Sequence, residues 1–164
     1  MAGKLYTLEV TLLDGYMTDD FVRGNPVVSR TIEICDDQTL SQLYRAIFEA
    51  FHRWEQHMYE FQFGSGPHDR SGDRYVLPME FEDPLDADSQ ATGNLMQTAI
   101  DSLGLAVGQA FGYWFDFGDD WYHQINVIAI GEAKPRTKYP RVTARVGDSP
   151  PQYVDWDAEG EDGE

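Results

Sequence analysis

Four residues close together in the chain, Asp116, Asp119, Asp120 and His123, are of the types that hold divalent cations or exchange protons. Carboxylates converging with an imidazole could coordinate a metal and activate its bound water, with Asp116, Asp119 and His123 as the candidate ligands. Convergence depends on how the chain turns between them. If Gly118, Asp119 and Asp120 form a three-residue hairpin turn, Phe117 faces Trp121, Phe115 faces His123, Tyr113 faces Ile125 and Phe111 faces Val127. Strand alternation then puts His123 on an apolar face and Asp116 on the opposite one, with Trp114, Tyr122, Gln124 and Asn126. Turn chemistry alone also accounts for these residue types: Gly118 supplies a positive φ, Asp119 and Asp120 bond their own backbone, and His123 is a satisfied core residue.

The polar face of this hairpin is the second place where chemistry could sit. Trp114 and Tyr122 are large rings at positions that would face solvent, the composition of a partner-binding surface, and Tyr153 and Trp156 near the C-terminus could add to it. A third candidate is basic: Lys134, Arg136, Lys138, Arg141 and Arg145 lie in one short run and could contact phosphates. The whole chain, however, carries 12 Lys and Arg against 29 Asp and Glu, a formal charge of −17, which opposes binding to nucleic acid or anionic membranes. Tyr139 within the basic run is the one tyrosine placed to act as a phosphate-attacking nucleophile; a packed loop tyrosine is the simpler reading. His52 and His57, five apart, would sit about 140° from one another on a helix, too far round to share a metal, and His68 falls in a loop. The sequence has no nucleophile elbow, phosphate-cradling glycine loop or dinucleotide fingerprint.

The elements that must position these residues follow from periodicity. Tyr6, Leu8, Val10 and Leu12 alternate with polar residues as a half-buried strand does, and Val27 to Ile34 resumes β-branched character after a turn-rich loop. These two strands are expected to pair antiparallel. Leu40, Leu43, Tyr44, Ile47, Phe51, Trp54 and Met58 recur at threes and fours, predicting one long amphipathic helix. Thr39 with Gln42 has capping-box spacing, Glu49 and Arg53 fall one turn apart outside the stripe, and His57 lies near the expected C-terminus. Tyr59, Phe61 and Phe63 form a further strand, and Tyr75 to Leu77 a short one. Residues 78–93, with Glu80, Glu82, Asp83, Asp86 and Asp88, read as a solvated excursion, and Thr98 with Asp101 as the cap of a helical turn ended by Gly104. Val142, Ala144 and Val146 alternate with Arg141, Thr143 and Arg145 as an edge strand would.

The segment YWFDFGDDWYHQI, followed by the Tyr139–Pro140 pair and by PPQY at Pro150 to Tyr153, resembles the plasmid pRiA4b ORF-3-like proteins. The similarity extends through NPVVSRTIEI, DQTLSQLYRAIFEAF, YEFQFG and TAIDSLGL, so it covers nearly all of the chain before residue 155. Where many relatives continue with a cysteine-containing, Gly-rich segment, this chain has QYVDWDAEGEDGE. The resemblance implies an α+β fold: a ubiquitin-like β-grasp mixed sheet packed on the long helix, with an added C-terminal hairpin. It carries no activity with it, although some relatives bear a mobile-element, resolvase-like label.

A single domain over residues 1–154 is expected, followed by an acidic tail at 155–164, whose six carboxylates, when set aside, reduce the charge from −17 to −11. Cys35 alone forms no internal disulfide, and the longest apolar run is too short to span a bilayer, so a cytoplasmic location is expected. The favoured function is a non-enzymatic binding or adaptor module with another protein as partner and no cofactor. The alternatives are a DNA-binding accessory of a mobile element and a metal-dependent enzyme using the Asp116 to His123 turn.

Overall fold

The computed structural model describes residues 3–64, 72–77, 92–117 and 119–152. Its elements in chain order are β1 (Lys4–Asp14), α1 (Asp19–Gly24), β2 (Ser29–Cys35), α2 (Leu40–Ala50), β3 (Tyr59–Phe63), β4 (Asp73–Val76), β5 (Gly93–Asn94), a 3-10 turn (Ile100–Leu103), β6 (Ala110–Phe115), β7 (Trp121–Glu132) and β8 (Arg141–Val146). The strands form one sheet in the order β5-β4-β3-β6-β7-β1-β2-β8, antiparallel throughout except for the β4–β5 pair. Among the described residues no helix is long and apolar enough to cross a membrane.

Alternation along β1 buries Tyr6, Leu8, Val10 and Leu12 on the face that α2 covers, together with Ile32 and Ile34 of β2, Phe61 of β3, and Ile125 and Val127 of β7. Onto this face α2 lowers Leu40, Leu43, Tyr44 and Ile47, and the Tyr44 ring stacks on Tyr59 of β3 at 3.7 Å. Thr39 caps α2 as its spacing predicts, its hydroxyl accepting from the Gln42 N–H while Gln42 Oε1 accepts from the Thr39 N–H at 2.9 Å. Gly104 adopts the left-handed conformation that ends the 3-10 turn; Ala99, not Thr98, occupies its N-cap position.

The fold departs from the β-grasp expectation in three ways. Among the described residues there are eight strands in one sheet and two short α-helices, so this is not a sheet packed on one long helix. α2 stops at Ala50 although the apolar spacing runs on to Met58. His52 takes a left-handed φ of 55°, its N–H bonds the Glu49 carbonyl and the Arg53 N–H bonds the Phe48 carbonyl, a Schellman ending with histidine in the glycine position. Trp54 consequently lies 67% exposed rather than in the helix stripe, and Arg53 and His57 belong to the following loop. The β6–β7 hairpin, finally, is no appendage: it lies in the middle of the sheet, bonded to β3 on one side and β1 on the other.

The hairpin register also differs from the three-residue-turn expectation. Phe115 pairs with Trp121, Tyr113 with His123 and Phe111 with Ile125, so residues 116–120 make the connection. Asp116 and Asp120 both take left-handed φ values, and the Asp120 N–H closes the loop on the Asp116 carbonyl at 2.7 Å. The shift amounts to two residues on the β6 strand, an even number, so the paired side chains of β6 and β7 keep their expected faces, whereas Phe117 leaves the inner set for the connection and packs on Trp114.

Candidate functional site

The inner and outer faces of the β6–β7 hairpin carry different groups. Inside, Tyr113, Phe115, Trp121 and His123 form a fully buried quartet, and the Arg53 guanidinium lies against it. Its carbon sits 4.8 Å from the Phe115 ring centre, 5.2 Å from Trp121 and 5.2 Å from Phe51. Arg53 Nη2 donates to His123 Nε2 at 3.0 Å, and His123 Nδ1 donates to the Tyr113 carbonyl at 3.2 Å, which fixes the neutral imidazole. Burial and the neighbouring Arg53 charge push the His123 pKa well below the usual histidine range. Burial also pulls Arg53 down to about 10, against the opposing pull of Tyr113, Tyr44 and Asp116, and pushes the Tyr113 hydroxyl well up. Sequence reading assigned Arg53 to an exposed helix face beside Glu49; the early end of α2 turns it inward instead.

Outside, Trp114 and Tyr122 are directly cross-strand, their rings parallel to within 8° and 5.4 Å apart. Phe117 packs on Trp114 at 4.2 Å, extending the pair into a half-buried ridge of three rings. The Trp114 indole N–H donates to Asp120 Oδ1 at 3.0 Å, which holds the ring in place. Along the same face of β7 lie Gln124 and Asn126, bonded to each other at 2.9 Å. At the end of the ridge, Asp14, Gly15, Tyr16, Asp119 and Asp120 line a cleft of about 190 Å³, and burial with the nearby Asp116 charge raises the Asp119 pKa. Gly15 is required there because any Cβ would overlap the Trp121 ring.

The structure therefore separates the residues whose types suggested a metal or acid–base centre. Asp116 is buried; its Oδ1 accepts from the Asp119 N–H at 3.2 Å and its Oδ2 lies 3.4 Å from His57 Nε2. His123 spends both ring nitrogens on Arg53 and Tyr113. Among the described residues no group of three or more His, Cys, Asp or Glu side chains is arranged to hold a metal ion. The His57–Asp116 contact has no local signal, since His57 falls on the helix stripe's extrapolated end. Phe117 was legible as an aromatic but was assigned opposite Trp121, which hid its place on the ridge.

The basic run divides between a connection and an edge. The Lys134 N–H donates to the Tyr139 hydroxyl at 3.2 Å, giving that phenol a structural role, and Arg136 occupies a left-handed turn position. Arg141 Nε donates to Glu33 Oε1 at 2.6 Å across to β2, and Arg145 pairs in register with Arg30. β8 is the edge strand that its alternation suggests. Gly118, His68, Tyr153, Trp156 and the acidic tail lie outside the described residues.

A long antiparallel sheet with an aromatic hairpin at its centre defines the structural class, and the comparisons place the chain within it. The model of the plasmid pRiA4b ORF-3-like protein family matches residues 20–159, and the chain belongs to that family. Its fold is similar to the crystal structure of a protein of unknown function from Methanosarcina mazei Go1, with a TM-score of 0.64 and 19% identity over 88% of this chain and 70% of that one. No curated protein matches.

Proposed function

We propose that the chain is a non-enzymatic binding module that engages a protein partner through the Trp114–Tyr122–Phe117 ridge. The observation carrying this reading is the ridge itself: three half-buried rings on the outer face of the hairpin, Tyr122 stacked and Phe117 tilted against Trp114, with the indole locked by Asp120. Rigid aromatics of this kind bind with little loss of side-chain entropy and supply the few residues that dominate interface energies. Asp14, Asp119 and Asp120 around the adjoining cleft favour a cationic surface on the partner, whose Lys or Arg side chains could lie over the ring faces. Among the described residues Asp116, Asp119 and His123 form no group arranged to hold a metal ion, which favours this reading over the metal-enzyme alternative.

The test is photo-cross-linking in cells, with a benzophenone amino acid at Tyr122 and, as control, at Val107, exposed at the far end of the same hairpin. A discrete adduct specific to position 122 is expected. The recovered partner should then bind the Trp114→Ala/Tyr122→Ala variant at least roughly 30-fold more weakly, the effect of removing one ~2 kcal/mol anchor. Identical adducts from both positions, or unchanged affinity, would refute the assignment.

A further inference from the structure

Strand β1 ends beside an apolar pocket that the core leaves open. Leu12 and Val28, both buried, make its floor, joined by the bond from the Leu12 N–H to the Val28 carbonyl at 2.9 Å. Leu13, Met17, Val22 and Pro26 add to a cavity of about 300 Å³ between the end of β1, α1 and the start of β2. Val22 comes from α1, none of whose side chains is buried. Of the nine large hydrophobic side chains exposed among the described residues, four, Leu13, Tyr16, Val22 and Val27, belong to this one stretch. Single exposed apolar residues are ordinary, whereas four in a stretch that lines a pocket mark a binding surface.

The walls are fixed from outside the pocket. Gly15 lies against the buried Trp121 ring, while Asn25 Nδ2 donates to the Phe21 carbonyl at 3.2 Å and Asn25 Oδ1 accepts from the Asp148 N–H at 2.8 Å, tying α1 to the chain after β8. A pocket formed in advance binds with little ordering cost. Its rim is acidic. The pocket shares Asp14 and Gly15 with the carboxylate cleft, and Asp14 stands cross-strand from Tyr122 of the ridge. Asp119 and Asp120 line that cleft, α1 begins with Asp19 and Asp20, and Arg23, the basic residue of α1, is spent on Asp20. Such a rim repels occupants that carry the chain's own charge: a second copy, at −17, or residues 155–164, with six carboxylates and no basic residue.

We propose that this pocket anchors a large aliphatic side chain, of leucine, isoleucine or methionine size, flanked by Lys or Arg on an extended segment of a protein partner. The proposal rests on the ridge reading and extends it: the partner that covers Trp114 and Tyr122 lays its cations along Asp14, Asp119 and Asp120 and inserts the aliphatic side chain beyond them. Burial of that side chain supplies affinity, and the carboxylates select the charge of its neighbours.

The experiment titrates the full chain, isotopically labelled at its Leu, Val and Met methyl groups, with three end-blocked tripeptides followed by NMR: Lys-Leu-Lys, Glu-Leu-Glu and Lys-Ser-Lys. Millimolar Lys-Leu-Lys should move the Leu13, Met17 and Val22 methyl signals saturably, and both controls should require concentrations at least about tenfold higher. Leu13→Ser/Val22→Ser, at two exposed positions outside the core, should weaken Lys-Leu-Lys by a similar factor, and Asp14→Asn should narrow its advantage over Glu-Leu-Glu. Unmoved methyl signals, or equal binding of either control, would overturn the site. So would a concentration-dependent dimer abolished by Leu13→Ser/Val22→Ser, which gives the pocket to a second copy, or nuclear Overhauser contacts from Trp156 to the Met17 methyl in the peptide-free chain, which give it to the C-terminal segment. The ridge is judged separately. A partner captured at position 122 that binds Leu13→Ser/Val22→Ser as tightly as wild type overturns the pocket and leaves the ridge standing, whereas unchanged affinity of the Trp114→Ala/Tyr122→Ala variant overturns the ridge and leaves the methyl shifts in place.

Discussion

The two faces of the β6–β7 hairpin are built from the same aromatic vocabulary and do opposite things with it. On the inner face, Tyr113, Phe115 and Trp121 are fully buried around a guanidinium and a neutral histidine, and their rings make the centre of the core. On the outer face, Tyr122 and Phe117 pack against Trp114, half-buried, beside a cleft lined by carboxylates. A strand separates these sets by one position at a time, so adjacent residues can be selected for different purposes. The difference teaches that aromatic content alone says nothing of role; burial and the partner of the polar atom decide it.

The comparison breaks most visibly at Arg53. Arg53→Ala removes cation–π contacts to three rings and leaves the His123 acceptor unpaired in the core, and it should cost about 3–5 kcal/mol in denaturant unfolding. A loss below about 1 kcal/mol would show that the inner quartet is packed without it. Next in size is Gly15→Ala, whose new methyl must displace the buried Trp121 ring; overpacking of this kind costs about 1–3 kcal/mol.

How much of this was legible in the sequence follows from the range of the interactions. The β1 alternation, the Thr39–Gln42 cap and the two hairpin faces are short-range patterns, and the faces survived a wrong register because the shift was an even number of residues. The end of α2 was hidden because His52, not glycine, takes the left-handed position while Trp54 and Met58 keep helical spacing by coincidence. Arg53 was misplaced for the same reason, and with it the centre of the inner face. That the hairpin lies mid-sheet depends on pairing with β1 and β3, contacts separated by many residues that no local pattern encodes.

A pH titration sharpens the contrast further. The folded state holds His123 neutral, with its pKa well below the ordinary 6.5, so the unfolded chain binds the extra proton first. The stability this provides is fully present above pH 6.5 and is lost as pH falls below it, with a slope of at most ~1.4 kcal/mol per pH unit from this group. His123→Gln should flatten that part of the stability profile, measured against wild type between neutral and mildly acidic pH; an unchanged slope would place the titration elsewhere. The smallest effect on stability is expected outside: Trp114→Ala/Tyr122→Ala loses a stacked pair and partial burial, about 1.5 kcal/mol or less.

That same double variant provides the most direct test, through parallel measurement of its unfolding free energy and its affinity for the partner captured at position 122. The account predicts a cooperative fold of nearly wild-type stability with affinity reduced at least roughly 30-fold. Wild-type affinity in a folded double variant would contradict the assignment of the outer face to binding.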